Sequence, residues 1–323
     1  MAGVAVNLLT GFLGSGKTTL LKHVLEHGLD GRRVAIVMNE IGEVGIDGKV
    51  ITGMKAVEKM VEVSNGCICC SISGQFQVAV REILANARPH LIVIESTGVA
   101  DPAALAGQVR EAGLHLDAVI TVVDAAHIGR QLKEAEVASR QIEAADFLVL
   151  NKTDLVGERE LARVEARLRR LNPRAVLRRS AHGRVDTDLL FGTSVGRIRQ
   201  EIRDHGHDHL RDDRIEAFVF QDEPGRLFDR RRFEGFLRRL PAACWRAKGI
   251  VLFEGETTPT LFHFTCGRVE LEWFPLPKGT EHRNQGVFIG QDLLKHEARL
   301  RRRLEACRPE ARRGFLGRFR GGA

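Results

Sequence analysis

Short apolar runs alternate with charged segments along the first 200 residues of the chain. The runs are too short for helices but suit buried strands, and they occupy residues 4–9, 34–38, 91–94, 116–123, 147–150 and 175–177. Between them lie helical segments such as 158–171, whose charges mark a solvated face. This alternation predicts an α/β fold, a parallel sheet flanked by helices.

The pattern changes near residues 192–213. Beyond this stretch, strand-like and helical segments follow at residues 215–220, 230–240, 249–253, 261–266, 269–274 and 292–307. This order predicts a smaller α+β domain with an antiparallel sheet. We therefore expect four parts, at residues 1–200 (first domain), 201–213 (linker), 214–308 (second domain) and 309–323 (basic tail).

Three histidines, His205, His207 and His209, stand at alternate positions in the expected linker, beside two aspartates. Such a tract is typical of a low-affinity metal collector. A polar linker with no metal role is the alternative. Both interpretations remain open.

A phosphate-binding motif follows the first apolar run. Residues 11–18 read G-x-x-x-x-G-K-T and precede apolar residues at helical spacing, so strand, loop and helix come in the order that the motif requires. Glycines let the loop aim its N–H groups at a phosphate. We expect Lys17 to reach the β- and γ-phosphates and Thr18 to ligate Mg²⁺. The predicted nucleotide contacts here are Gly11, Gly14, Ser15, Gly16, Lys17, Thr18 and Thr19.

A second nucleotide motif ends the strand predicted at 91–94. Glu95 follows the strand, and Gly98 lies three residues beyond it. An acid at a strand tip can hold Mg²⁺, and a glycine N–H can sense the γ-phosphate. Glu95 therefore joins Lys17 and Thr18 as a predicted catalytic residue, although a structural salt bridge at Glu95 remains the alternative.

The sequence N-K-T-D at residues 151–154 predicts the base. The Asp154 carboxylate can accept hydrogen bonds from N1–H and the 2-amino group of guanine, whereas adenine offers neither donor. We therefore predict GTP as the nucleotide, with Asn151, Lys152 and Asp154 at the base. The alternative is that Asp154 caps the helix at 158–171. Residues 180–183 are expected to add a backbone contact to the guanine, with His182 as a polar loop residue. A role for His182 in metal binding is the alternative.

Three thiols lie within four residues, at Cys67, Cys69 and Cys70. As thiolates they can converge on a soft or borderline metal ion, with Glu43, a histidine or a receiving protein as the fourth ligand. No second C-x-x-C is present, which favours an exchangeable site over a structural one. A redox dithiol and inert packing cysteines are the alternatives. The isolated residues Cys244, Cys266 and Cys307 are predicted to lie in the core.

Residues 39–53 follow the strand predicted at 34–38 and are rich in glycine. Such loops order around γ-phosphate and Mg²⁺ and relax after hydrolysis. Glu43 and Asp47 are predicted metal or magnesium ligands in this switch. Solvated loop charge is the alternative for both residues.

Taken together, these motifs resemble the CobW-type GTPases, metallochaperones related to the HypB and UreG nickel proteins. The resemblance rests on residues 11–21, 39–47, 66–71, 95–102 and 151–154, and it extends to 246–249 and 287–290, which are similar to the family's C-terminal domain. It implies GTP hydrolysis coupled to binding and delivery of a transition metal, most often zinc, with cobalt also possible, to a client protein. Some members carry acidic ligand candidates where this chain has Met38 and Gln75, which places more weight on the thiols and Glu43.

The composition of the chain indicates its cellular location and the partners that it can have. The six cysteines, with no export segment and no long apolar run, predict a reduced, cytoplasmic protein without a membrane partner. The net charge of +7 and pI near 9.3 come with an arginine-rich end. We expect a solvated tail first and a client contact second, and no nucleic-acid partner because an aromatic stacking array is lacking. A redox-regulated GTPase, a cobalt, nickel or iron insertion factor and a small-molecule kinase remain alternative functions. A homo-oligomeric state is left open.

Overall fold

The computed structural model describes residues 4–27, 33–38, 57–62, 73–191, 215–274 and 283–309. The chain divides into two compact units. The first unit comprises Met1–His207 together with the short segment His263–Arg268, and the second comprises Asp208–Phe262 and Val269–Ala323. Within the described ranges, no helix is both long and apolar enough to span a bilayer.

A parallel sheet forms the centre of the first unit. Its described strands are β1 (Ala5–Thr10), β2 (Val34–Met38), β3 (Val57–Glu62), β4 (Leu91–Glu95), β5 (His115–Asp124), β6 (Phe147–Asn151) and β7 (Val176–Arg179). They lie in the order β3-β2-β4-β1-β5-β6-β7, and every pair is parallel. The central strands are buried on both faces, as their continuous apolar runs require.

Helices connect these strands. Their bounds are α1 (Lys17–His27), α2 (Ser73–Asn86), α3 (Pro102–Glu111), α4 (Ile128–Glu134), α5 (Glu136–Glu143), α6 (Glu158–Leu171) and α7 (Thr187–Phe191). Two apolar clusters fill the space between helices and sheet, one around Ile92 and one around Leu150. The predicted parallel α/β class is therefore confirmed.

Two details of this unit differ from the sequence analysis. Strand β3 was not predicted, because its sequence V-E-K-M-V-E contains no continuous apolar run. The alternative role of Asp154 as the cap of α6 is wrong. Gly157 occupies the N-cap position, no side chain caps this helix, and Asp154 lies in a separate 3₁₀ turn, Thr153–Leu155.

The second sheet is formed by β8 (Ile215–Gln221), β9 (Cys244–Val251), β10 (Thr260–Thr265), β11 (Arg268–Trp273) and β12 (Gln285–Gln291). These strands lie in the order β11-β10-β9-β12-β8, and β12 is antiparallel to both of its neighbours. Helices α8 (Arg230–Leu237) and α9 (Glu297–Glu305) accompany this sheet. In the second unit, the buried Phe233 ring lies 5.0 Å from Phe228 and 5.2 Å from Phe262 between ring centroids. The predicted α+β class is confirmed.

Several predicted boundaries need correction here. The strand expected at 249–253 begins at Cys244, and the helix expected at 230–240 ends at Leu237. The helix expected at 292–307 is a 3₁₀ turn, Leu293–His296, followed by α9. Cys244 and Cys307 are buried as predicted, but Cys266 is not in the core. It is half-buried at a positive φ of 48° in the tight turn between β10 and β11.

Candidate nucleotide-binding site

The carboxyl ends of β1, β4, β5 and β6 gather the predicted nucleotide residues at one edge of the parallel sheet. The loop from Gly11 to Gly16 joins β1 to α1, whose first residues are Lys17, Thr18 and Thr19. Gly14 and Gly16 have φ angles of 73° and 100°, and Ser15 is fully buried. A Cβ at Gly16 would lie 2.4 Å from the Asn151 amide nitrogen, so glycine is required there.

Lys17 and Thr18 face the interior of this loop region. The Lys17 ammonium donates a hydrogen bond to the Gly11 carbonyl at 3.0 Å, and its residue is buried. The Thr18 hydroxyl donates to Glu95 Oε1 at 3.1 Å, and Glu95 is also buried. A hydroxyl and a carboxylate at this separation supply two hard oxygen ligands, which suits Mg²⁺. The residues present therefore fit a magnesium ion at the loop.

The segment after β4 packs directly on the phosphate-binding loop. A Cβ at Gly98 would lie 2.5 Å from the Leu13 backbone nitrogen, so only glycine permits this approach. Ser96 N–H also donates to the Leu9 carbonyl at 2.9 Å. Any movement of Gly98 toward the phosphate-binding loop would therefore displace Leu13 of that loop.

Gln141 of α5 holds the same segment from its other side. Its amide nitrogen donates to the Gly98 carbonyl at 3.1 Å and to the Ala100 carbonyl at 3.2 Å. The sequence analysis did not find this residue. A signal was present, because Gln141 shares the buried face of α5 with Ala138 and Ile142, where an apolar residue is expected.

Asn151 joins the base-reading segment to the phosphate-binding loop. Its amide nitrogen donates to the Ser15 carbonyl at 3.0 Å, and its amide oxygen accepts from Gly183 N–H at 3.0 Å. Asn151 is 2% exposed, so these hydrogen bonds lie away from solvent. One side chain thus ties together three loops at the same sheet edge.

Lys152 is held by an aspartate that sequence reasoning missed. The Lys152 ammonium lies 2.7 Å from Asp124 Oδ2 at the end of β5, and His127 Nδ1 lies 3.1 Å from the same oxygen. Burial alone would raise the pKa of Asp124, but the hydrogen bonds from Lys152 and His127 outweigh burial and hold this pKa below its usual value. Asp124 is therefore ionised and fixes Lys152 beside the predicted base pocket.

Asp154 lies in the 3₁₀ turn that follows Lys152. Its carboxylate is 35% exposed and stands 3.8 Å from His182 Nε2. The turn is anchored because Thr153 N–H donates to the Ser180 carbonyl at 3.2 Å. The His182 side chain is 73% exposed, which confirms the prediction of a polar loop histidine.

The predicted ligands of the cargo metal are not among the described residues. Cys67, Cys69, Cys70, Glu43 and Asp47 lie outside the described residues, as do the histidine tract at 205–209 and the tail beyond residue 309. Met38 ends β2 and is 2% exposed. It brings an apolar thioether, not a carboxylate, to that position.

The chain matches two protein-family models and a full-length relative. The CobW/HypB/UreG nucleotide-binding domain model matches residues 5–178, and the model of the cobalamin synthesis protein cobW C-terminal domain matches residues 215–308. The zinc chaperone YjiA of Escherichia coli (strain K12) is 35% identical over 318 residues, covering 93% of this chain and 98% of that protein.

Two further matches are a partial relative and a solved structure. The zinc-regulated GTPase metalloprotein activator 1 of Schizosaccharomyces pombe is 38% identical over 194 residues, which is 57% of this chain and 47% of that protein. A crystal structure of Zn(II)-bound YjiA GTPase from E. coli covers 96% of this chain and 100% of that chain, with 26% identity and a TM-score of 0.46. The two family models and the full-length relative confirm the predicted resemblance, and the chain belongs to the CobW/HypB/UreG family.

Proposed function

We propose that this chain is a GTP-hydrolysing metallochaperone that carries zinc and releases it to a client protein. The main observation in favour of GTP binding is the Asn151 side chain, which hydrogen-bonds both Ser15 of the phosphate-binding loop and Gly183. These hydrogen bonds connect the segment proposed to bind the base with the loop proposed to bind the phosphates. Family membership and the zinc chaperones and zinc-regulated GTPase among the relatives support the metal half.

Phosphate chemistry falls to the residues at the β1 and β4 ends. The Lys17 ammonium donates a hydrogen bond to the Gly11 carbonyl across the loop, and we propose that this ammonium contacts the β- and γ-phosphates of bound GTP. Thr18 and Glu95 would hold Mg²⁺, which when bound neutralises charge on the phosphates. We propose that Gly98, which packs closely on Leu13, senses the γ-phosphate through its N–H.

Selection of guanine falls to Asp154. Its carboxylate is partly exposed in an anchored turn, so it remains open to a base while its backbone is fixed. Two hydrogen bonds to guanine would favour GTP over ATP by roughly 1–3 kcal/mol, by analogy with other bidentate base contacts. Lys152, fixed by Asp124, would cover one side of the base.

The cargo site is proposed on chemical grounds. Cys67, Cys69 and Cys70 supply thiolates, and Glu43 or Asp47 would add an oxygen ligand when GTP orders the switch. Zinc fits this donor set, and cobalt fits it as well. We place this exchange in the cytoplasm, where the thiols stay reduced.

Nucleotide titrations test the proposal. The unmodified protein should bind GTP at least about five times more tightly than ATP, and Asp154→Asn should lose that preference and gain affinity for xanthosine triphosphate. Glu134→Gln, which removes an exposed carboxylate on α4, is the control and should keep the GTP preference. Equal GTP and ATP affinities in the unmodified protein would overturn the assignment.

A further inference from the structure

A second group of metal-ligating side chains lies in the first unit, away from the nucleotide. We propose that His115, Asp117 and His263 bind one zinc-type divalent ion. His115 begins β5, Asp117 follows two residues later, and His263 belongs to the segment His263–Arg268 of the same unit. One ligand atom from each residue lies within 4.8 Å of the others.

A local irregularity of β5 supports this site. Along β1, Val6 pairs with Leu116 but the next residue, Asn7, pairs with Ala118. Asp117 is therefore the extra residue of a β-bulge. Bulges redirect a side chain out of the regular alternation and occur next to functional sites. Here the bulge brings Asp117 to the two histidines.

The two histidines of the proposed site are buried next to each other. His115 and His263 are 4% and 5% exposed, and their ring centroids are 3.9 Å apart at an interplanar angle of 36°. The ligand nitrogens of the two rings are therefore close enough to share one ion, and histidine is the commonest metal-binding side chain in proteins.

The donor set matches zinc-type ions. Two imidazoles and one carboxylate are a combination that Zn²⁺ accepts, with a fourth position left for water. Tetrahedral zinc would place its ligand atoms about 3.3 Å apart. The ligand atoms would thus close by at most about 1.5 Å on binding, which rotation about side-chain bonds can supply.

Neighbouring contacts hold the ligands in place. Arg268 Nη2 donates to the Asp117 carbonyl at 2.6 Å and lies 3.1 Å from Asp146 Oδ2. Asp146 Oδ2 also accepts from Val119 N–H of β5 at 2.9 Å. Asp146 offsets the charge of Arg268 near the site, and the network fastens His263–Arg268 to β5. Such outer contacts orient metal ligands.

The site is remote from GTP. Ala5 pairs with His115 and Thr10 pairs with Thr121, and the phosphate-binding loop begins after Thr10. His115 is therefore at the opposite end of β5 from the nucleotide, roughly 20 Å away at the usual rise per strand residue. An ion here would not touch phosphate. It would fasten the segment His263–Arg268 to the parallel sheet, independently of the proposed cargo site.

The test uses the full chain with the candidate thiol ligands and the histidine tract removed. This background variant carries Ser at positions 67, 69 and 70 in place of cysteine, and Asn at positions 205, 207 and 209 in place of histidine. Competition with a chromophoric chelator should show one remaining equivalent of Zn²⁺, and zinc should raise the melting temperature. Adding His115→Ala and His263→Ala should abolish both effects, whereas His296→Ala, a histidine of the second unit, should leave them unchanged.

Two outcomes would overturn the proposal: a background variant that binds no zinc, or a His115→Ala/His263→Ala variant that keeps the full equivalent. If the double variant fails to fold, Asp117→Asn replaces it and should weaken zinc binding at least tenfold. X-ray absorption on the zinc-loaded background variant should then show two imidazoles and no sulfur. Sulfur ligation, or an absence of imidazole, would reject the site.

Discussion

The two units of this chain differ in the side chains that they bury beside their aliphatic residues. In the first unit, polar residues such as Lys17, Glu95, Asp124 and Asn151 are buried at the carboxyl ends of parallel strands, and their hydrogen bonds join one loop to the next. In the second unit, the interior of the antiparallel sheet is built around phenylalanine rings such as Phe233.

Arginine side chains pack against the phenylalanine rings of the second unit. The Arg308 guanidinium carbon lies 4.0 Å from the Phe228 ring centroid, and that of Arg230 lies 4.4 Å from Phe253. Such cation–π contacts add stability but create no reactive group. The comparison teaches that substitutions in the first interior should change chemistry, whereas substitutions in the second should change stability.

The largest expected effect is on catalysis in the first unit. Lys17→Ala removes the cation expected at the β- and γ-phosphates, so GTP turnover should fall about a thousandfold while the fold persists. Lys22→Ala is a matched control, because Lys22 lies on the same helix with an exposed side chain paired to Glu26. Steady-state phosphate release measures both variants. Unchanged turnover in folded Lys17→Ala would show that the catalytic site lies elsewhere.

The opposite effect is expected in the second unit. Phe233→Ala should lower the free energy of unfolding by about 3–5 kcal/mol, because it removes a fully buried ring. The affinity of the first unit for GTP should stay within twofold. Urea unfolding followed by tryptophan fluorescence reports on the second unit, since both tryptophans, Trp245 and Trp273, belong to it.

Trp273→Ala is the control for this experiment. Trp273 is 77% exposed, so its loss should change the free energy of unfolding by no more than about 0.5 kcal/mol and leave Trp245 as the only reporter. If Phe233→Ala lowered the free energy of GTP binding by as much as it lowered the free energy of unfolding, the proposed difference between the two units would be wrong.

A smaller effect sharpens the comparison within the first unit. Gln141→Leu keeps the buried volume but removes the hydrogen bonds to the Gly98 and Ala100 carbonyls. We expect Gln141 to act only by positioning Gly98, the proposed γ-phosphate sensor, so kcat should fall roughly tenfold while KM changes less than threefold. Gln131→Leu, a buried glutamine of α4, is the control and should leave both constants unchanged. A purely structural role would instead lower stability and leave kcat per folded molecule intact.

The smallest effect concerns thiol reactivity. Burial raises the pKa of the Cys307 thiol to about 11. The neutral thiol therefore dominates below that pH, and at pH 8 only about one Cys307 in a thousand is the reactive thiolate. Mapping iodoacetamide labelling by mass spectrometry should show Cys307 unmodified at pH 8 and labelled only as pH approaches 10–11. The half-buried Cys266 is the internal reference, and equal labelling rates at pH 8 would contradict the prediction.

Local patterns in the sequence predict most of the fold. Strands such as β4 and β6 are continuous apolar runs, and α6 has one charged face, so both follow from neighbouring residues alone. Strand β3 was missed because charged residues interrupt its apolar positions. The final helix was drawn too long because Leu293–His296 winds more tightly than its amphipathic pattern indicates.

The candidate site was predictable only where a motif fixes its spacing. Lys17, Thr18 and Asn151 belong to such motifs, whereas Asp124 and Gln141 act through contacts with residues distant in sequence. The meeting of His115 with His263 likewise depends on tertiary structure. Pattern reasoning finds residues with a local signature, and it cannot find those that folding alone brings together.

The central claim is that GTP and the cargo metal are linked, and zinc affinity in different nucleotide states tests it most directly. Competition with a chromophoric chelator should show zinc bound at least about fivefold more tightly with a non-hydrolysable GTP analogue than with GDP, and zinc should tighten analogue binding by the same factor. Replacing Cys67 and Cys69 with Ser should remove both effects and preserve basal GTP binding. Identical zinc dissociation constants in the analogue-bound, GDP-bound and nucleotide-free protein would contradict the claim.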